Sequence, residues 1–184
     1  MKKIFQSILI LLTIVSFSSC LKDDTIIGPD SPNSAGAIIE FENPDFIVAN
    51  TLTATVKRAR YAVTVTKGAS SQLHMRVNYS GTGKGAPNDV TVNLGIDAAE
   101  LTLHNTQAAR TTANAFNLIP ATWYTMPTSV IIPKGETGVD FNISINTNNY
   151  VAGTLYALPL KITSASSGTL SGNFGVIIVN VLAP

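Results

Sequence analysis

The chain has 184 residues, of which 45% are hydrophobic and only 12% charged, with a formal net charge of +1. That length excludes large catalytic scaffolds such as the eightfold β/α barrel, which needs about 250 residues. Taking Lys2 and Lys3 out with the leader described next leaves 10 of the 12 basic residues against 11 acidic ones. Such a balance excludes a chain built to neutralise nucleic-acid phosphates.

Met1-Lys2-Lys3 is a short basic start, residues 8–17 are almost wholly apolar, and Ser18-Ser19 lead into Cys20, the single cysteine. The apolar run falls short of the about 20 residues that a spanning helix needs, so residues 1–19 read as a secretory signal peptide. Cys20 stands where a bacterial lipoprotein signal places the residue that is diacylated and becomes N-terminal. Each buried CH₂ of its three acyl chains would contribute about 0.8 kcal/mol, making the outer membrane a permanent partner. Leu21-Lys22-Asp23-Asp24 resembles the Bacteroidota lipoprotein export signal, which implies that Lys22, Asp23 and Asp24 route the protein to the outer face of the outer membrane. Asp24-Thr25-Ile26 resembles the O-glycosylation signal of the same bacteria. Residues 20–36 are rich in Gly, Pro, Ser and Asn. They form a flexible tether that reaches about 50 Å when extended, enough to hold a domain clear of lipid headgroups.

Residues 37–184 form the folded domain. Leu52, Ala54 and Val56 share a parity that Tyr61, Val63 and Val65 reverse, which predicts a bulge or turn at Lys57-Arg58-Ala59-Arg60. Alternation is clean in the next run: Leu73, Met75, Val77 and Tyr79 face in, while His74, Arg76 and Asn78 face out. Val90, Val92, Leu94 and Ile96 repeat the pattern, and the Gly-rich residues 80–89 between the two runs suit a hairpin. Asp97-Ala98-Ala99-Glu100 is a capping-box-like start, with Leu101, His104 and Ala108 on one helical face, predicting a short helix over 98–109. Further strands are expected over 129–132, 139–145, 156–163 and 174–182, with Phe141, Ile143 and Ile145 inward. Val176 to Val181 is apolar on both faces, as in a doubly covered strand. Seven or eight strands and one short helix predict an all-β, immunoglobulin-like antiparallel β-sandwich.

Four pieces resemble a known family. These are Asp97 with the helix and Asn105; Leu118-Ile119-Pro120 with Trp123-Tyr124; Val130-Ile131-Ile132-Pro133-Lys134-Gly135; and Tyr156-Ala157-Leu158-Pro159-Leu160-Lys161-Ile162-Thr163. Together they resemble a Bacteroidota surface lipoprotein family of immunoglobulin-like domains with no assigned activity. Members of that family often precede family 18 glycoside hydrolase-like or lectin-like modules in glycan-utilisation loci. The resemblance implies an immunoglobulin-like domain at the cell surface, while what the downstream modules do is not carried over to this chain.

Catalytic machinery is missing from the pattern. Gly81-Thr82-Gly83-Lys84-Gly85 lacks the Lys-Ser/Thr pair and following helix of a phosphate loop. His74 and His104, the only histidines, have no spacing to acids that marks a metal site, and no Gly-x-Ser-x-Gly elbow occurs. Asp97 and Glu100 read as helix-start caps rather than a glycosidase pair. Neither a cofactor nor a metal is expected. The basic cluster Lys57, Arg58 and Arg60 reads as a solvated edge, with a protease-cleavable segment as its rarer reading. Trp123, Tyr124 and Tyr150 are the candidate glycan-stacking residues. Trp123 and Tyr124 are adjacent and so point to opposite faces in extended chain, while Tyr150 lies in a polar turn. The expected function is a non-catalytic surface lipoprotein that assists glycan binding. The alternative is an adhesin or assembly subunit with surface protein partners.

Overall fold

The computed structural model describes residues 36–42, 49–50, 58–68, 70–81 and 83–182, with Ala49 and Asn50 as backbone only. The expected signal peptide over 1–19, Cys20, Lys22, Asp23, Asp24, Thr25, the expected tether before Gly36, Leu52, Ala54, Val56 and Lys57 lie outside the described residues.

In chain order the elements are β1 (Ile38–Glu42), β2 (Ala49–Asn50), β3 (Ala59–Thr64), β4 (Ser70–Ser80), β5 (Val90–Ile96), α1 (Ala98–Gln107) and β6 (Asn117–Leu118). A 3₁₀ turn (Ala121–Trp123) follows, then β7 (Tyr124–Thr125), β8 (Ser129–Ile132), β9 (Gly138–Asn146), β10 (Tyr156–Ala165), β11 (Thr169–Leu170) and β12 (Val176–Leu182). One sheet has the order β11-β1-β4-β9-β7; the other runs β2-β3-β12-β10-β5-β8, with β6 beside β10. The two inner faces share one apolar core, in which Ile39, Met75, Val77, Ile143, Leu158, Leu160, Ile177 and Val179 are buried. Among the described residues eight strands have four or more residues. The fold is the expected immunoglobulin-like β-sandwich, antiparallel except where β1 meets β11, β6 meets β10 and β3 meets β12, which pair in parallel.

Alternation placed the faces correctly. Leu73, Met75, Val77 and Tyr79 are buried and His74 is exposed. Ile143 pairs with Leu73, and Phe141 with Met75, across the antiparallel β4–β9 ladder. The residues between β4 and β5, however, do not form a hairpin. β4 pairs with β1 and β9 while β5 pairs with β10 and β8, so this segment crosses from one sheet to the other. It is fastened to the β8–β9 turn: Ala86 N donates to Glu136 O (2.8 Å) and Gly135 N to Ala86 O (2.8 Å). A side chain at Gly85 would have its Cβ 1.9 Å from Gly135 O, so only glycine permits the approach.

Helix α1 is an excursion out of the second sheet. β5 pairs with β10 only from Leu160 onward; there Asp97 N donates to Pro159 O (3.0 Å) and the chain leaves. It rejoins as β6, in parallel beside Tyr156 and Ala157. Pro159 therefore sits in a central strand without loss, because the flank its missing N–H would face is where β5 departs. Asp97 is the N-cap, its Oδ1 accepting from Ala99 N (3.1 Å); such a cap contributes about 0.5–2 kcal/mol. The helix stops at Gln107 rather than 109, since Ala109 takes a left-handed φ of 49°. Leu101 packs with Phe116, Ala157 and Ile178 in a second apolar cluster on the outer face of the sheet. That cluster is the second cover which the two-sided apolar run of β12 implied.

Arg58 and Arg60 of the basic cluster do not form a solvated edge. Arg58 donates from Nε and Nη2 to both Glu100 oxygens (2.8 and 2.9 Å) and from Nη1 to Gly172 O (3.1 Å). Glu100 thus ties the helix to the start of β3 rather than serving as a cap, and its hydrogen bonds hold the Arg58 pKa above its ordinary value. Arg60 Nη1 donates to the buried Asn180 Oδ1 (2.8 Å).

Two substitutions test these faces. Leu160→Asp puts an unpaired carboxylate between the sheets and is expected to cost more than about 3 kcal/mol, whereas His74→Asp on the outer face costs under about 1 kcal/mol. Thermal unfolding reads both; equal losses would overturn the assignment of faces.

Candidate functional site

Ile119 is buried, and Pro120 then opens the 3₁₀ turn, closed by Trp123 N donating to Pro120 O (2.9 Å). The turn delivers two aromatic rings to different places. Trp123 points into the sandwich, 5.5 Å from the ring of Tyr150 and 5.6 Å from that of Tyr156, which are themselves 4.6 Å apart. These separations suit offset or tilted ring pairs, worth about 0.5–1.5 kcal/mol each beyond area burial.

Tyr150 corrects the expectation of an exposed ring. The turn around it is polar and Asn146, Asn148 and Asn149 are exposed, but Tyr150 itself is only 3% exposed. Its turn is folded under by Tyr150 N donating to Thr147 O (3.1 Å), and by the Thr147 hydroxyl donating to Thr66 O (2.9 Å). The Tyr150 hydroxyl is buried with no partner among the described residues. Burial, followed by the nearby Tyr156, raises its pKa. Tyr156 was read only as a strand residue, although its parity with Leu158 and Leu160 places it in the core and so against Trp123.

Tyr124, like Trp123, packs against the core from a half-buried position. It opens β7, paired to Ile145 at the edge of the first sheet. A groove of about 380 Å³ runs between the end of β5 and the segment after Tyr124, lined by Leu94, Gly95, Ile96, Tyr124, Thr125, Met126, Pro127 and Thr128. Leu94 N donates to Thr128 O (2.8 Å), fixing the two walls together. The volume lies in the range of small-ligand sites, about 300–1,000 Å³, which are mostly apolar with a few polar groups. Sequence reasoning found Tyr124 but missed Met126, Leu94 and Ile96, because only the topology brings β5 beside the β7–β8 connection.

The acidic candidates Asp97 and Glu100, and Asp140 of β9 besides, are engaged by cations. Lys161 Nζ donates to Asp97 Oδ2 (2.7 Å) and holds that carboxyl below its usual range. His74 Nε2 lies 3.5 Å from Asp140, which also accepts from Arg76 Nη1 (3.1 Å). Among the described residues no three His, Cys, Asp or Glu side chains converge on a metal-sized point. His104 is buried under α1 and is structural.

A family model of an N-terminal domain matches residues 37–169. Among solved structures, a protein of unknown function from Bacteroides ovatus superposes with a TM-score of 0.63 at 18% identity, over 78% of this chain and 46% of that one. A candidate carbohydrate-binding protein from Bacteroides ovatus gives 0.57 at 13% identity, over 68% and 35%. An auxiliary nutrient-binding protein from Bacteroides thetaiotaomicron gives 0.56 at 18%, over 68% and 44%. The chain spans less than half the length of each, and at these identities the likeness is one of fold. No curated protein matches the chain. The fold agrees with the resemblance carried by the four sequence pieces.

Tyr150→Phe removes a buried hydroxyl that has no partner, so its melting temperature is expected to stay level or rise, while Trp123→Ala loses about 3–5 kcal/mol of ring packing. A fall of several degrees for Tyr150→Phe in a thermal melt would mean that the hydroxyl is bonded.

Proposed function

The chain belongs to the family of N-terminal domains whose model spans residues 37–169, and from that premise we propose that it is a non-catalytic, lipid-anchored domain that assists glycan binding at the outer face of the outer membrane. The observation that carries this reading is the Tyr124 groove. A sugar's apolar C–H face buries area against an aromatic ring, and Met126, Pro127 and Ile96 extend that surface. Thr125 and Thr128 on the same rim offer hydroxyls that can donate to and accept from the sugar's own. The descriptions of two fold neighbours, as candidate carbohydrate-binding and auxiliary nutrient-binding proteins, support the same direction. Trp123 and Tyr150 have a supporting role in this reading: their packed rings hold the turn that presents Tyr124.

An open groove of this size binds weakly, since each immobilised group costs entropy; affinities from millimolar to micromolar are expected, about −4 to −8 kcal/mol. The test is a calorimetric titration of the full chain in detergent with neutral and acidic oligosaccharides, beside Tyr124→Ala. Loss of binding in Tyr124→Ala with an unchanged melt supports the groove, and binding that survives refutes it. If no glycan binds at millimolar concentration, the reading as an adhesin with protein partners takes its place. The address is read separately by mass spectrometry of membrane-extracted protein, where a lipidated Cys20 at the N-terminus is expected and an unlipidated Cys20 ends the anchor proposal.

A further inference from the structure

Among the described residues four buried side-chain nitrogen or oxygen atoms lack a hydrogen-bond partner, and three of them, Arg60 Nε, His104 Nδ1 and Arg110 Nε, lie around one ring. That ring is Phe116, in the loop that returns from α1. The Arg110 guanidinium carbon sits 3.8 Å and that of Arg60 5.7 Å from its centroid, and the His104 ring centroid is 6.0 Å away. Asn105 holds Phe116 in place, donating from Nδ2 to Phe116 O (3.0 Å) and accepting from Phe116 N at Oδ1 (3.0 Å).

The charges here follow a different rule from those elsewhere in the molecule. Arg58 meets Glu100, Arg76 meets Glu42 and Asp140, and Lys161 meets Asp97. Arg60 and Arg110 each donate to a neutral oxygen only, Asn180 Oδ1 (2.8 Å) and Asn114 O (2.5 Å). No carboxylate among the described residues pairs with either. Both are half-buried, and two cations beside one ring repel each other: burial and then Arg60 lower the Arg110 pKa. Burial, then Arg110 and Arg60, push His104 down to about 4, so it stays neutral and adds no third charge at pH 7. The cation–π contacts offset part of this cost. With each Nε buried and each Nη1 giving one bond, it is the terminal Nη1/Nη2 side of each guanidinium that keeps donors to spare, and planar donors of this kind are matched to carboxylate and sulfate oxygens.

We propose that Arg60 and Arg110, stacked about Phe116 beside the C-terminal end of α1, form a receptor for an oxyanion: a carboxylate or sulfate group, free or carried on a saccharide. It lies apart from the Tyr124 groove and does not depend on it.

The experiment is a titration of the isotope-labelled full chain in detergent with sodium sulfate, sodium galacturonate and, at matched ionic strength, sodium chloride, following the arginine Nε–H resonances. Saturable shifts of Arg60 and Arg110 with sulfate or galacturonate, and not with chloride, are expected; the tighter of the two says whether a bare oxyanion or a sugar acid is the better occupant. Arg110→Gln is expected to weaken that binding at least about tenfold, and Arg76→Gln, whose cation is already paired, to leave it within about twofold. Equal shifts with chloride, which would be screening alone, or no shift with either oxyanion, overturn the proposal. The wild-type resonances decide whether or not the variants fold.

Discussion

From Val176 to Val181, strand β12 has no side that faces water. Ile177, Val179 and Val181 fill the space between the sheets, while Ile178 and Asn180 lie beneath the α1 excursion and its return loop. A strand buried on both faces must have its second cover supplied by the chain itself, because an exposed outer face of that composition would be a large apolar patch. The interruption of β5 at Asp97, the N-cap, the Arg58–Glu100 clamp and the Asn105–Phe116 bonds all serve to hold that cover in place. The polar groups trapped under it are a consequence too: a helix laid across a sheet encloses whatever its edges carry, here His104 and the stems of two arginines.

Period-two alternation recovered the faces of β4, β5 and β9 because each has one wet side, and the apolar run 176–181 announced a strand with none. The capping acid at Asp97 was legible since capping is local. What was not legible shares one cause. Residues 80–89 look the same whether they turn back or cross over, because glycine content sets the freedom of a chain and not its destination. Arg58 reads as a solvated cation until a residue 42 positions away is brought to it. Tyr150 sits among exposed asparagines, and nothing in that neighbourhood shows that one bond from the Thr147 hydroxyl to Thr66 O turns the segment inward.

The adjacent pair Trp123-Tyr124 shows how one turn serves two purposes. The 3₁₀ turn ends at the tryptophan and the edge strand begins at the tyrosine. One ring is thereby committed to packing with Tyr150 and Tyr156, and the other is held at the rim with its position set by its neighbour's burial. A half-buried ring on a packed base loses little freedom when something stacks on its open part, which is the property a weak, non-covalent platform needs. The unmatched arginines differ in kind: their positions are set by stacking about Phe116, which packs on Ala157 and Ile178 of the central strands β10 and β12.

One register has a mechanical meaning. β3 runs parallel to β12, paired from Ala59↔Ile177 to Thr64↔Leu182. Tension applied between the segment entering β3 and the segment leaving β12 pulls the two strands along their length in opposite directions. The ladder is then loaded in shear, so its hydrogen bonds share the force and must yield together; an antiparallel hairpin pulled from its open ends would instead peel one pair at a time. A domain held between two attachments by this pair of strands resists drag in proportion to the length of the ladder.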